Sequence, residues 1–130
     1  MEDPRPPMSA RSSPSLVEEI LARSVDDWLH VADFSAVASR CGITDAEAIR
    51  GLAIGLIAVT VCDGLMVIGD VDASGFHRWP GSTGETLIRL IEVWNPHEPY
   101  PTPGSVAWLD CTPKGLRIGN SVLDRGTAFS

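Results

Sequence analysis

Hydrophobic positions recur with helical spacing in several segments, and three of these segments begin with a capping box. In Ser15-Leu16-Val17-Glu18, a hydroxyl and a carboxylate can each satisfy an unpaired backbone N–H. Apolar residues then share one helical face, while charged residues occupy the other. The apolar positions are Leu16, Val17, Ile20, Leu21, Val25 and Trp28. The pattern predicts a first helix that starts at Ser15 and ends near His30.

A short second helix is predicted from Phe34 to Cys41. Asp33 or Ser35 can cap its start, because short polar side chains accept hydrogen bonds from the first backbone N–H groups. Gly42 suits the left-handed position that follows a helix end. A tight turn then leads into the next helix.

The third predicted helix opens with the capping box Thr44-Asp45-Ala46-Glu47 and ends at a chain reversal at Asp63-Gly64. Its apolar positions are Ala48, Ile49, Leu52, Ala53, Leu56, Ile57 and Val61. The uncharged stretch from Gly51 to Cys62 is too short to span ~30 Å of hydrocarbon as a helix. We therefore interpret Gly51 and Gly55 as small residues that allow close packing of a core helix.

The second half of the chain predicts two β-hairpins and a fourth helix. Leu65–Val71 and Phe76–Trp79 have strand character and flank a turn-forming segment. The capping box Ser82-Thr83-Gly84-Glu85 opens a helix that ends at Asn95-Pro96. Prolines in residues 96–104 indicate a stiff surface loop. The last hairpin would join Val106–Cys111 to Leu116–Ile118.

These elements predict an α+β fold with about four helices. Residues 1–14 are rich in proline and poor in apolar side chains, so we expect a disordered N-terminal tail there. A single domain would cover residues 15–118, followed by a loose tail over 119–130. The 130 residues, 44% of them hydrophobic, are enough for one compact core.

Two segments point to a known family. Residues 31–43, Val-Ala-Asp-Phe-Ser-Ala-Val-Ala-Ser-Arg-Cys-Gly-Ile, match the first half of a helix-turn-helix motif. Residues 63–70, Asp-Gly-Leu-Met-Val-Ile-Gly-Asp, match the passage from a recognition helix into a β-wing. Over residues 15–79 the chain therefore resembles the winged helix-turn-helix family. The resemblance implies a winged-helix-like fold whose third helix enters the DNA major groove and whose wing touches phosphates.

The charge of the chain changes this expectation. Seventeen acidic and ten basic residues give a net charge of −7, whereas neutralising phosphates needs clustered Lys and Arg. The start of the third helix would present Asp45 and Glu47 to DNA, with Arg50 as the only cation of that helix. Since two carboxylates at this position repel phosphate, a protein partner becomes the better expectation than nucleic acid.

Local patterns for metal and anion binding have simpler explanations. Asp70–Gly75 matches the opening of a calcium loop, but Gly81 stands where such a loop needs its final glutamate. We therefore interpret this segment as a hairpin turn. Gly81–Gly84 lacks the lysine of a phosphate loop, so helix capping explains it. His30, His77 and His97 lack metal-ligand spacing. We expect no metal or cofactor, and His30 is predicted to lie at the surface.

Cysteine and tryptophan usage indicates packing rather than chemistry. Cys41, Cys62 and Cys111 are far apart and odd in number, which predicts buried free thiols. The N-terminal segment lacks the apolar core of a secretory signal, so a cytoplasmic location is expected. Four tryptophans are predicted as core or half-buried residues, with interface contacts as the alternative. They are Trp28, Trp79, Trp94 and Trp108.

Together these patterns predict a non-catalytic protein-binding domain. Its most concrete form is an acidic cytoplasmic inhibitor, an immunity protein or antitoxin that neutralises a basic toxin or nucleic-acid-handling enzyme. Carboxylates facing a cationic surface would speed such an association. The expected contact residues are Asp45, Glu47, Asp70, Asp72, Glu98 and Tyr100.

Two alternatives stay open, and so does the oligomeric state. A winged-helix transcription regulator could read DNA as a dimer through Arg40, Arg50 and Arg78. A catalytic role would require Cys111 to meet His97 or His77 in space, because a thiol nucleophile needs a neighbouring base.

Overall fold

The chain combines α-helices with one antiparallel β-sheet. The computed structural model describes residues 14–128, which form five α-helices and four strands. The helices are α1 (Leu16–Arg23), α2 (Val31–Ser39), α3 (Ala46–Cys62), α4 (Thr83–Val93) and α5 (Pro113–Ala128). The strands are β1 (Leu29–His30), β2 (Met66–Asp72), β3 (Gly75–Arg78) and β4 (Trp108–Cys111). The α+β prediction is thus confirmed, while the predicted tail over residues 1–14 lies outside the described residues apart from Pro14.

The sheet has the strand order β1-β4-β2-β3, and every neighbouring pair is antiparallel. The predicted hairpin of β2 and β3 is confirmed, with Asp70 opposite His77. β4 lies between β1 and β2, so that Leu109 pairs with both Leu29 and Ile68. β4, which comes from the C-terminal part of the chain, therefore connects β1 with the β2–β3 hairpin.

The two faces of the sheet differ in burial. Leu29, Leu109 and Ile68 form a cross-strand row, and all three are at most 6% exposed. Side chains alternate along a strand, so Val67 and Trp108 point to the opposite side, where both stay half-exposed. We call this second side the outer face. The core lies between the first face and the helices, which contribute Ile20, Leu21, Phe34, Val37, Ile57, Leu90 and Trp94.

α3 forms where it was predicted, but its two glycines do not pack against other elements. Asp45 caps the helix by accepting the N–H of Ala48 at 2.9 Å, so Thr44 is not the cap. The interpretation of Gly51 and Gly55 as close-packing residues is wrong, because both are exposed and a Cβ on either would meet no atom within 4 Å. The core side of α3 is formed by other positions, namely Ile49, Ala53, Leu56, Ile57, Thr60 and Val61.

His30 was predicted at the surface near the end of the first helix, and this is wrong. α1 already ends at Arg23, where the Ser24 hydroxyl donates to the carbonyl of Leu21 at 2.8 Å. His30 is 4% exposed and caps α2, with its Nδ1 accepting the N–H of Ala32 at 3.2 Å. Asp33 completes the box by accepting the N–H of His30 at 2.8 Å. The cap explains why α2 starts three residues before the predicted Phe34.

This histidine cap should make stability depend on pH. Burial lowers the pKa of His30 below its usual 6.5, against the opposing charge of Asp33. As pH falls below 6.5, the unfolded chain binds a proton that the folded chain resists, so the free energy of unfolding decreases. Asparagine caps helices without titrating. We expect His30→Asn to flatten the decline in unfolding free energy between about pH 7 and pH 5, measured by urea denaturation; an equal slope would contradict this.

The predicted second hairpin and C-terminal tail are wrong, because residues 113–128 form α5. The Thr112 hydroxyl accepts the N–H of Gly115 at 3.1 Å, and Pro113 occupies the first helical position, where no amide hydrogen bond is needed. Gly115, Gly119 and Val122 are buried on one side of α5. Since two of these three positions are glycines, the buried side of α5 is not marked by large hydrophobic residues in the sequence. Residues 129–130 of the predicted tail lie outside the described residues.

Candidate functional site

Two of the predicted contact residues, Asp45 and Glu47, lie together at the exposed start of α3. The carboxylate of Asp45 caps the helix, and Glu47 lies in its first turn. Both line a surface depression of about 430 Å³ together with Ala46, Arg50, Pro96 and His97. We call it the α3-start depression. Carboxylates are favourable at this position because the helix N-terminus carries partial positive charge.

Arg50 lines the same depression, but its guanidinium group is bound to α4. Its Nη2 atom donates to the backbone oxygens of Ile91 at 3.2 Å and Trp94 at 2.7 Å. The guanidinium also lies 5.7 Å from the centroid of the Trp94 ring. These carbonyls are at the C-terminal end of α4, where a cation is favoured. The hydrogen-bonding capacity of Arg50 is therefore directed to α4 rather than to Asp45 and Glu47.

The loop after α4 carries the predicted contact residues Glu98 and Tyr100. The indole N–H of Trp94 donates to the backbone oxygen of Glu98 at 2.7 Å, and the Ser35 hydroxyl donates to that of Pro99. Glu98 directly follows His97, which lines the depression, and its side chain is exposed. Tyr100 is 51% exposed on the same loop. Of the four predicted contact residues outside the hairpin, Asp45 and Glu47 therefore line the depression, whereas Glu98 and Tyr100 lie on the loop after α4 and are not among its lining residues.

The two predicted contact residues on the hairpin, Asp70 and Asp72, form a separate group. Asp70 accepts the indole N–H of Trp79 at 2.9 Å, and the Nη2 of Arg89 lies 3.9 Å from its carboxylate. Both residues are exposed on one side of β2. Neither lines the α3-start depression.

Asp72 organises the turn between β2 and β3. Its Oδ1 accepts the N–H and the hydroxyl of Ser74, both at 2.7 Å, and lies 3.0 Å from Nε2 of His77. These hydrogen bonds, first among them that of the Ser74 hydroxyl, lower the pKa of Asp72 to about 2. The interpretation of Asp70–Gly75 as a hairpin turn is confirmed, and Asp72 has a structural role there.

The cysteines differ from their prediction. Cys41 and Cys62 are exposed rather than buried, since they lie at the ends of helices, where the chain turns. Cys111 is half-buried, and its Sγ lies 2.6 Å from the hydroxyl of Ser24. Burial raises the pKa of the Cys111 thiol above its usual value. A protonated thiol is a poor nucleophile.

The proposed convergence of Cys111 with a histidine does not occur. His77 pairs with Asp70, whereas Cys111 pairs with Met66. These partners are four residues apart on β2, a distance of roughly 13 Å along the strand. His97 lines the depression at the start of α3, while Cys111 pairs with Met66, four residues past the end of α3, and the two ends of a helix of this length are about 25 Å apart. The structure therefore contradicts a Cys111–histidine pair.

Sequence reasoning missed the role of Arg50, because nothing local indicates that it will reach the end of a helix more than forty residues later. Nor does the sequence indicate that His97 and Asp45 line the same depression.

Within residues 14–128, no three His, Cys, Asp or Glu side chains are grouped as a metal site requires. None of the helices in this part of the chain has both the length and the apolar character needed to cross a membrane.

Comparison of the chain with protein-family models, with curated proteins and with solved structures finds no match. The functional interpretation therefore depends on the geometry and charge of the chain itself.

Proposed function

We propose that this chain is a non-catalytic protein-binding domain that uses the acidic start of α3 to bind a basic protein. Its most concrete form is an inhibitor of the immunity or antitoxin type. The observation that carries the proposal is the orientation of Arg50, which donates to the carbonyls of Ile91 and Trp94. Asp45 and Glu47 thus remain an exposed pair of carboxylates at a surface suited to a cationic partner.

The distribution of the other cations supports a protein partner over DNA. Arg40, one of the arginines that DNA reading would need, hydrogen-bonds Glu19, which also pairs with Arg23 at 3.5 Å. Arg125 pairs with Glu18 at 3.1 Å. Cations occupied in this way are less available to neutralise phosphates, which DNA binding requires in clusters.

We further infer that the first three helices and the β2–β3 hairpin form a variation on the winged helix. The resemblance implies the order helix, short helix, longer helix and two-stranded ribbon, and α1, α2, α3 and the β2–β3 hairpin follow each other in this order, with the unpredicted strand β1 between α1 and α2. The insertion of β4 between β1 and β2 would then be the distinguishing feature of this chain. In such a fold the start of α3 would be the natural contact surface, here with its charge suited to protein.

A capture experiment tests the proposed function. The wild-type chain and the D45N/E47Q variant are immobilised at equal density and exposed to lysate of the native host, and bound proteins are identified by mass spectrometry. The asparagine at position 45 retains the helix cap, so α3 should persist. We expect the wild type to retain a strongly basic protein that D45N/E47Q retains roughly thirtyfold less, because two lost charge contacts at about 1 kcal/mol each cost about 2 kcal/mol.

The matched control is D63N/D124N, which removes the same number of charges from exposed sites at the far end of α3 and on α5. It should capture the partner as well as the wild type does. Equal capture by D45N/E47Q would reject the α3 start as the binding surface. Retardation of a DNA duplex by micromolar protein at low salt would favour the DNA-binding regulator instead.

A further inference from the structure

The outer face of the sheet carries a cluster of aromatic side chains. Phe76 lies across Gly69, where an added Cβ would come within 2.7 Å of the phenyl ring. The rings of Trp28 and Phe76 are 6.4 Å apart, and that of Trp108 is 5.2 Å from the ring of His30. Trp28, Phe76 and Trp108 all remain half-exposed. Tryptophan is among the residues that most often dominate binding energy at protein interfaces.

Carboxylates border this aromatic cluster. Asp110 lies on β4 opposite Val67, and therefore on the outer face. It joins the segment before β1 around a surface depression of about 310 Å³. We call it the outer-face depression; its lining residues are Ser24, Val25, Asp26, Asp27, Trp28 and Asp110.

Among the described residues, no cation forms an ion pair with the carboxylates that line this depression. The ion pairs within residues 14–128 use the carboxylates of Glu18, Glu19, Asp70 and Asp72. Partial burial raises the pKa of Asp110, since the carboxylate has lost water. Arg78 pairs with Gly69 on the edge strand β3, but its side chain lines a different depression, together with Thr83 and Thr86. A cation from a partner would therefore stabilise the charged form of the Asp110 carboxylate.

We propose that the outer-face depression binds an arginine side chain of a basic protein partner. A guanidinium group can stack on an indole ring while donating hydrogen bonds to neighbouring carboxylates, and Trp28 with Asp110 and Asp27 offers both. The proposal adds a second contact surface, on the sheet, to the start of α3. The choice of a protein as the source of the arginine rests on the proposed function, whereas recognition of the guanidinium does not.

A titration with short peptides tests this recognition without any partner protein. The probes are acetyl-Gly-Arg-Gly-amide and its citrulline analogue, which has the same shape without the charge. The four tryptophan indole N–H signals are followed by ¹H–¹⁵N NMR and assigned through single Trp→Phe variants. We expect the arginine peptide to shift the Trp28 signal saturably, because Trp28 lines the outer-face depression. The chemical shifts of the Trp79 and Trp94 signals should not change, because both indole N–H groups donate to partners inside the protein.

Two variants complete the test. Asp110→Asn should weaken binding of the arginine peptide about tenfold, as expected for loss of a charged hydrogen-bond partner. Asp124→Asn, an exposed carboxylate on α5, should bind as the wild type does. Equal shifts with the citrulline peptide, or unchanged binding in Asp110→Asn, would overturn the proposal.

The capture experiment separates this inference from the proposed function. If the arginine peptide binds, Asp110→Asn should also retain less of the captured protein than Asp124→Asn does. If the peptide fails to bind while capture still depends on Asp45 and Glu47, only the outer-face proposal is rejected. If the peptide binds but capture is independent of Asp45 and Glu47, the site stands and the proposed function is rejected.

Discussion

Replacing Trp94 with alanine is expected to lower the free energy of unfolding by about 3–5 kcal/mol, the usual cost of deleting a buried aromatic side chain. Trp94 is completely buried, and its ring packs beside the guanidinium of Arg50. Its indole N–H also holds the backbone of Glu98. Urea denaturation followed by circular dichroism measures the loss, since tryptophan fluorescence changes with the substitution itself.

Trp94→Phe separates packing from the hydrogen bond. It keeps most of the apolar volume but leaves the Glu98 carbonyl without its donor, so we expect a smaller loss of about 1–3 kcal/mol. It should also loosen the loop that carries Glu98 and Tyr100. A Trp94→Ala chain as stable as the wild type would contradict the placement of this residue in the core.

Gly119→Ala and Gly55→Ala are expected to change stability in opposite directions, although both lie inside helices. A Cβ at Gly119 would lie 2.5 Å from the carbonyl oxygen of Leu21 and 2.8 Å from Val25. α1 and α5 would have to separate, and such overpacking costs about 1–3 kcal/mol. At Gly55 a Cβ meets no atom within 4 Å, so alanine should stabilise the helix by about 0.5–1 kcal/mol.

The same denaturation experiment measures both glycine variants. Gly51→Ala is a second control, because its Cβ would also extend into open space. A stabilised Gly119→Ala chain would show that α5 does not pack closely against α1. A destabilised Gly55→Ala chain would contradict the open space around this position.

Capping patterns predicted several helix starts well, because they are local. Ser15 and Ser82 cap α1 and α4 through complete boxes with Glu18 and Glu85, as the sequence indicated. The β2–β3 hairpin was predicted for the same reason, since Asp72 and Ser74 form its turn through near neighbours. Where the chemistry of a few consecutive residues determines the structure, the sequence is sufficient.

The errors arose where distant parts of the chain decide the structure. α5 buries glycines against Leu21 and Leu65, and glycine contributes no hydrophobic signal to a sequence pattern. His30 caps α2 with an imidazole, which is uncommon at this position. The outer-face depression joins Asp26 and Asp27 to Asp110 through the pairing of β1 with β4, which no short motif encodes.

The candidate site was predicted in part. Asp45 and Glu47 were found from their position at the start of a helix, and they are exposed there. Asp70 and Asp72 were grouped with them as acidic residues of the expected wing; they lie in the hairpin and its turn, but neither lines the depression at the start of α3. The orientation of Arg50, which leaves the α3 start acidic, depends on the packing of α3 against α4.

The most direct measurement of the central claim is the association rate of the captured partner at several salt concentrations, with the wild type and the charge-reversal variant D45K/E47K. Long-range attraction between an acidic surface and a basic protein speeds association and weakens as salt screens it. We expect charge reversal to slow association at least about tenfold at low salt and to flatten its salt dependence. Association rates equal to those of the wild type, with the same salt dependence, would contradict binding through the start of α3.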